Sequence, residues 1–245
     1  SGVASHFTHF CYANSEGFAG SYASASHSLY SEPLAEAAGS KQRDSWFTAG
    51  RHLCELEAPA QVGRRAAERA LRRLGARRVR TCQVPVIFDA ITAPSLVAQL
   101  AGCASGPALY RRASYLAGRL GELVASPQVT IVDDARLPRR LGSHPFDAEG
   151  LPTRRTRLVH EGRLESYLLD SYSARKLALQ STGSAVRAAG GSPSAGSSNL
   201  WLEPGDASLE ELIADTPRGL LVTELIGMGF NPLTGDYSRG AAGFS

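Results

Sequence analysis

The chain has 245 residues, of which 43% are hydrophobic and 20% charged. Those proportions exclude a disordered, collagen-like or coiled-coil protein, and a chain of this length buries a core without disulfide staples. Its 26 basic and 23 acidic residues leave a net charge of +3, too balanced to indicate nucleic acid, and no apolar run approaches the roughly 18 residues of a membrane-spanning helix.

Residues 1–50 alternate aromatics (Phe7, Phe10, Tyr12, Phe18, Tyr22, Tyr30) with Gly and small residues, which predicts strands and tight turns. Over 51–75 the period changes. Val62, Ala66, Ala67, Ala70, Leu71 and Leu74 recur at helical spacing between arginines, and Gly75 supplies a stop, so an amphipathic helix is expected. Val84–Asp89 reads as a buried strand, and Pro94 opens a helix over 95–103. A second helix is predicted over 108–124, with Leu109, Tyr110, Ala113, Leu116, Ala117, Leu120 and Leu123 on one side. Gln128–Asp133 reads as a strand. Thr156–His160 and Leu164–Leu169 read as a hairpin turning at Glu161-Gly162. Residues 183–198 are rich in Gly, Ser and Pro and are expected to be a flexible loop. Asn199–Leu202 reads as a strand, Ser208-x-x-Glu211 is a capping box for a helix over 209–215, and Leu220–Ile226 is a strand. The fold class expected is α+β: an N-terminal strand and helix part, then a curved or barrel-like antiparallel sheet with short helices.

Several groupings invite chemical readings. His6-x-x-His9-x-Cys11 carries three metal-capable side chains, but on a strand His6 points away from the face shared by His9 and Cys11. His160-Glu161 lacks the helix that a zinc motif needs, because Gly162 follows at once. The stretch Arg64–Arg80 is the most basic. It reads as a solvated helix face and linker, with a DNA-binding face as the competing reading. Cys103 or a Ser as a hydrolase nucleophile is a further option, although no G-x-S-x-G elbow occurs. The run Thr234-Gly-Asp-Tyr-Ser-Arg-Gly is the most unusual: either a turn into a last strand with Asp236 paired to Arg239, or the lining of a cleft. A second polar run surrounds Tyr172 and Arg175, where Ser171 or Ser173 is expected to cap a helix.

These last runs carry a family likeness. LLDSYSARKLALQSTGSA (168–185), SNLWLEPGDASLEELIAD (198–215) and GLLVTELIGMGFNPLTGDYSRGAAGF (219–244) resemble the TldD/PmbA family, specifically its PmbA branch, also called TldE. QVPVIFD (83–89), SGPALYRRASYLAGRLGE (105–122) and HPFDAEGLPTRRT (144–156) agree. The resemblance implies a cytosolic protease assembly active in peptide degradation and microcin maturation, in which a TldD-type subunit holds zinc through a helical H-E-x-x-x-H motif. An older family label is modulator of DNA gyrase. Here the helix after Pro94 reads LVAQLAGCA (96–104), without His, Glu or Asp, so no metal ligand is carried over and no cofactor is expected in this chain.

The resemblance therefore implies a non-catalytic subunit that shapes the cleft or holds an unstructured peptide while a TldD-like partner carries zinc. The alternative is a regulatory protein that binds DNA gyrase or nucleic acid. Asp236, Tyr237, Ser238 and Arg239 are the expected cleft residues, with Tyr172 and Arg175 behind them. Arg239 would hold a peptide carboxylate or carbonyl, and Asp236 would orient it or accept a backbone N–H. Residues 1–80 are expected to be the end of the family's N-terminal α+β domain with a connecting helix, and 81–245 its C-terminal β-rich domain, incomplete at its end. The single methionine, Met228, and the abrupt ends fit a piece of a longer subunit. A cytoplasmic location is expected, with Cys11, Cys54, Cys82 and Cys103 as free thiols. No membrane partner is expected, and nucleic acid is not favoured.

Overall fold

The computed structural model describes residues 1–188 and 190–245. They divide into two compact units, the first comprising Ser1–Tyr12, Ala19–Cys82 and Pro138–Leu141 and the second Ala13–Phe18, Gln83–Leu137 and Gly142–Ser245.

In the first unit, β1 (Gly2–Ala13), β2 (Ala19–Ser31) and β5 (Trp46–Gly50) form one sheet in the order β1-β2-β5, while β3 (Leu34–Ala37) and β4 (Ser40–Arg43) form a hairpin. Helix α1 (Pro59–Arg72) starts on a proline, whose missing N–H costs nothing at a first helical position. It buries Val62, Ala66 and Ala70 on one stripe, while Leu71 of the expected apolar set is left exposed. Its arginines do not simply face solvent. The guanidinium groups of Arg65 and Arg69 lie 5.3 and 5.7 Å from the centroid of the Trp46 ring, and Arg69 and Arg73 both pair with Asp44.

The second unit holds β6 (Val86–Phe88), α2 (Pro94–Cys103), α3 (Gly106–Tyr110), β7 (Ile131–Asp134), β8 (Arg155–His160), β9 (Arg163–Leu164) and α4 (Ser171–Leu177). After them come β10 (Ala185–Val186), β11 (Ser194–Ala195), β12 (Leu200–Leu202), α5 (Leu209–Ala214), β13 (Leu220–Ile226) and β14 (Gly240–Phe244). Strands β12, β7, β8 and β9 make an antiparallel sheet in that order. β14 pairs antiparallel with β13, and β13 pairs parallel with β6. The class is α+β with mostly antiparallel pairing, and among the described residues no sheet closes into a barrel. No helix of the described residues is long and apolar enough to cross a membrane.

The core of this unit gathers Ala101, Cys103 and Ala104 at the end of α2, Leu109 and Leu116, Leu158 and Val159 of β8, Leu164 and the run Tyr167–Leu169. The predicted helix over 108–124 is cut to α3. Arg112 adopts φ 55° and Gly118 φ 78°, both left-handed, and Tyr115 N–H donates 2.8 Å to Pro232 O instead of to its own helix. The leucine spacing misleads because Leu116 is fully buried by this irregular path, whereas Leu120 and Leu123 are exposed. The hairpin return is also short. β9 ends at Leu164, and the chain then runs to Leu168, which bridges in parallel to Ser105. The stretch expected to be a flexible loop carries the small β10-β11 pair, and its Ala189 lies outside the described residues.

Glycine at position 106 is a steric requirement, since a Cβ there would overlap Ser173 Oγ of α4. Gly102, in α2, has open space around it. Gly106→Ala is therefore expected to destabilise the chain by about 1–3 kcal/mol, whereas Gly102→Ala should be neutral or stabilising by up to about 1 kcal/mol. Urea unfolding of both variants checks this, and equal midpoints would contradict the close approach.

Candidate functional site

Helix α2 is fixed at its start by a polar turn. Asp89 Oδ1 accepts the N–H groups of Ile91 (3.1 Å) and Thr92 (2.9 Å), and Thr92 Oγ1 reaches Val222 O of β13 (3.1 Å), which fixes the turn into the helix. Val97, Leu100, Ala101 and Cys103 then pack into the core. Cys103 is 2% exposed, and burial pushes its thiol above its ordinary value, so it stays protonated at neutral pH. The thiol therefore lacks the lowered pKa of an activated cysteine nucleophile. Among the described residues no three His, Cys, Asp or Glu side chains converge to hold a metal. The residues present on α2 do not fit a catalytic zinc, which needs three protein ligands. On β1, His9 Nε2 and Cys11 Sγ lie 4.0 Å apart on one face, two donors without a third. His160 is the last residue of β8, and Glu161-Gly162 makes the turn, with Glu161 at φ 46°.

The 229–239 segment folds on itself before β14. Asn231 N–H donates to Asp236 O (2.9 Å), Gly235 N–H to Asn231 O (2.8 Å) and Ser238 N–H to Gly229 O (2.7 Å), while Phe230 bridges to Tyr237. Phe230 also packs against the core, and the Tyr115 N–H holds Pro232. Asp236 does not pair with Arg239. Its Oδ2 accepts Thr234 Oγ1 at 2.6 Å, two residues away, which is the shorter and less costly reach. Asp236, Tyr237 and Ser238 are exposed; Arg239 is half-buried, and its Nε has no hydrogen-bond partner.

Tyr172 lies elsewhere, in the wall of a cavity of about 520 Å³ between α3 and α4. Pro107 and Tyr110 line it from α3 and Arg111 from just past its end, Asp170 and Tyr172 from the start of α4, with Glu149 and residues 192–194 completing it. None of Asp236, Tyr237, Ser238, Arg239 or Arg175 lines it. Arg175 is exposed on α4 outside the cavity. The cap of α4 is Asp170 rather than either serine: its Oδ1 accepts Ser173 N–H (2.9 Å) and also Ser173 Oγ. The sequence reading missed Glu149, Tyr110 and Arg111. Tyr110 looked like one more residue on an apolar helix side, and Glu149 lies far from Tyr172 in the chain.

A second polar cluster clasps β7. Asp133, 4% exposed, accepts Ser198 N–H (2.7 Å) and Ser198 Oγ (2.9 Å), and His144 and Arg154 line the small space beside it. Burial raises its carboxyl above the ordinary value, and the Ser198 bonds oppose that rise.

Comparison with known proteins decides the family. Residues 81–245 match the model for the PmbA/TldA metallopeptidase C-terminal domain, and residues 1–74 match that for the PmbA/TldA metallopeptidase central domain. The chain belongs to the PmbA/TldD family. It is 40% identical over 241 residues to Metalloprotease PmbA of Escherichia coli O157:H7, covering 98% of this chain and 51% of that protein. It is 37% identical over 234 residues to a Haemophilus influenzae PmbA homolog, covering 95% and 50%. In structure it is similar to a Thermotoga maritima protein described as a modulator of a DNA gyrase, with a TM-score of 0.90, 30% identity, and coverage of 99% and 55%. TldE from Thermococcus kodakarensis gives a TM-score of 0.85 at 27% identity, covering 92% and 51%. The chain spans about half the length of the curated relatives it matches.

The raised carboxyl of Asp133 makes a pH prediction. Its protonated form favours the fold, a contribution complete below the unfolded value, ordinarily 3.8, and lost as pH rises through the folded value. Asp133→Asn is expected to flatten the pH dependence of urea stability in that window. An unchanged slope would contradict a buried, titrating Asp133.

Proposed function

We propose that the chain is a zinc-free subunit of a cytoplasmic metallopeptidase assembly, paired as a heterodimer with a TldD-like partner that carries the zinc and cuts. This chain holds the peptide. The observation that supports the reading is helix α2. Where the resemblance puts the catalytic branch's zinc motif, this helix offers a single buried thiol whose protonated form burial favours. A zinc-bound water acquires a pKa near 7 only when the metal is held by a full ligand set, so this helix supplies neither the nucleophile nor the Lewis acid for peptide hydrolysis.

Binding falls to the polar segments. In this reading Arg239 holds a peptide carboxylate or carbonyl, and Asp236 orients it or accepts a peptide N–H beside Tyr237 and Ser238. Tyr172 and Arg175 contribute from α4. Arg239 Nε is buried, and the side chain forms no ion pair among the described residues, so the guanidinium charge is uncompensated within the fold. Of the Arg64–Arg80 stretch behind the competing nucleic-acid reading, Arg65, Arg69 and Arg73 are engaged by Glu57, Asp44 and the Trp46 ring, while Arg77, Arg78 and Arg80 stay exposed.

The test is cleavage of an unstructured peptide. The chain alone is expected to be inert. With its TldD-like partner, chelator-sensitive cleavage is expected, and Arg239→Ala should lower the rate at limiting peptide by roughly ten- to hundred-fold. Chelator-sensitive cleavage by the chain alone would overturn the reading, and an unchanged rate for Arg239→Ala would remove that residue from it.

A further inference from the structure

We infer that the cavity between α3 and α4 is a recognition pocket for a basic side chain, arginine above lysine, of an extended peptide. The inference rests on the reading that this chain holds peptides, and adds which residue of the peptide it selects.

The cavity's size comes first. About 520 Å³ is within the range of sites that enclose a ligand rather than a single water. Its aromatic wall is Tyr110 and Tyr172, packed edge to face with centroids 5.6 Å apart and ring planes at 81°. Each ring already attracts a cation of the protein: the Arg111 guanidinium lies 5.5 Å from the Tyr110 centroid, and Lys176 Nζ lies 5.5 Å from that of Tyr172. Tyr172 remains 47% exposed, so ring surface is left for a ligand.

The charges decide the ligand. Glu149 is held in place at the wall because its Oε2 accepts the Ser171 N–H at 2.8 Å. Its Oε1 accepts no hydrogen bond, and no ion pair neutralises the carboxylate among the described residues. Asp170, 3% exposed, is committed to capping α4, but its charge stays in the wall. Two carboxylates thus face one lining cation, Arg111. An acidic side chain would be repelled. An apolar one would strip water from Glu149 without replacing it, which is costly for a charged group. A basic side chain neutralises Glu149 and lays its stem on the rings. Arginine does this best, because a planar guanidinium stacks on an aromatic ring while its edge pairs with a carboxylate.

The experiment titrates the chain, without partner or zinc, with capped peptides Ac-Ala-Ala-Xaa-Ala-Ala-amide carrying Arg, Lys, Leu or Glu, followed by calorimetry and tyrosine fluorescence. Saturable binding is expected for Arg, weaker for Lys, at least tenfold weaker for Leu and none for Glu. Glu149→Gln keeps an oxygen for Ser171 N–H, so it should melt as the parent does, yet bind the Arg peptide at least tenfold more weakly and lose its salt dependence. Arg111→Gln, at an exposed position, should bind the Arg peptide more tightly and keeps the test open if the first variant does not fold. Equal affinity for Leu and Arg, unchanged affinity in Glu149→Gln, or no saturable binding by the folded chain would each overturn the inference. Such a failure would leave the pairing with a zinc-bearing partner standing, since neither partner nor metal is in the assay.

Discussion

The close approach of Gly106 to Ser173 is the constraint on which the second unit depends. Gly106 N–H donates 2.8 Å to Leu168 O, and Leu168 N–H donates 3.0 Å to Ala104 O, so the end of α2 is stitched to the segment that leads into α4. Asp170 then caps α4 through Ser173, the residue that leaves no room for a Cβ at position 106. A side chain at 106 would push the two short helices apart. Neither is long enough to be stable alone, so tertiary contact has to fix both. The same contact sets Tyr110 against Tyr172 and thereby forms the cavity wall.

Polar residues complete what the small core begins. Core residues of this unit are mostly Leu, Val and Ala, and irregular segments are held by hydrogen bonds from side chain to backbone. Thr182 Oγ1 accepts Leu169 N–H (2.7 Å), Ser114 Oγ donates to Cys103 O (2.7 Å) and Tyr167 Oη donates to Leu116 O (2.8 Å). Buried backbone groups outside helices and strands need such partners. The many Ser and Thr of the sequence therefore serve the fold as well as any ligand.

Much of the architecture was legible because local chemistry agreed with it. Alternation marked β8, the Glu161-Gly162 turn follows it, and the Ser208/Glu211 box caps α5 with both reciprocal bonds. The stripe of Val62, Ala66 and Ala70 marked α1. Where local and tertiary preferences disagreed, the pattern misled. Leucines after Tyr110 fitted a helix, but Tyr115 is drawn to Pro232 and Arg112 turns left-handed. The Asp133 clasp was invisible because Ser198 sits in a stretch that composition marks as loose. The cavity was half visible: Tyr172 stood out in its polar run, but Glu149 and Arg111 reach it only through the fold. The proposed roles of Asp236 and Arg239 rest on chemistry and likeness, with the added fact that they do not neutralise each other.

The proposed division of labour rests on α2. In the proposed assembly the helix keeps its structural place while its side chains serve packing, and metal chemistry belongs to the partner. Zinc content is the most direct measure of that claim. The chain and its TldD-like partner, purified together and then separately, would be loaded with excess zinc, freed of unbound metal and assayed for zinc per polypeptide. The expected result is about one zinc ion per partner polypeptide and only background zinc in this chain. Stoichiometric zinc retained by this chain would contradict its role as the metal-free subunit.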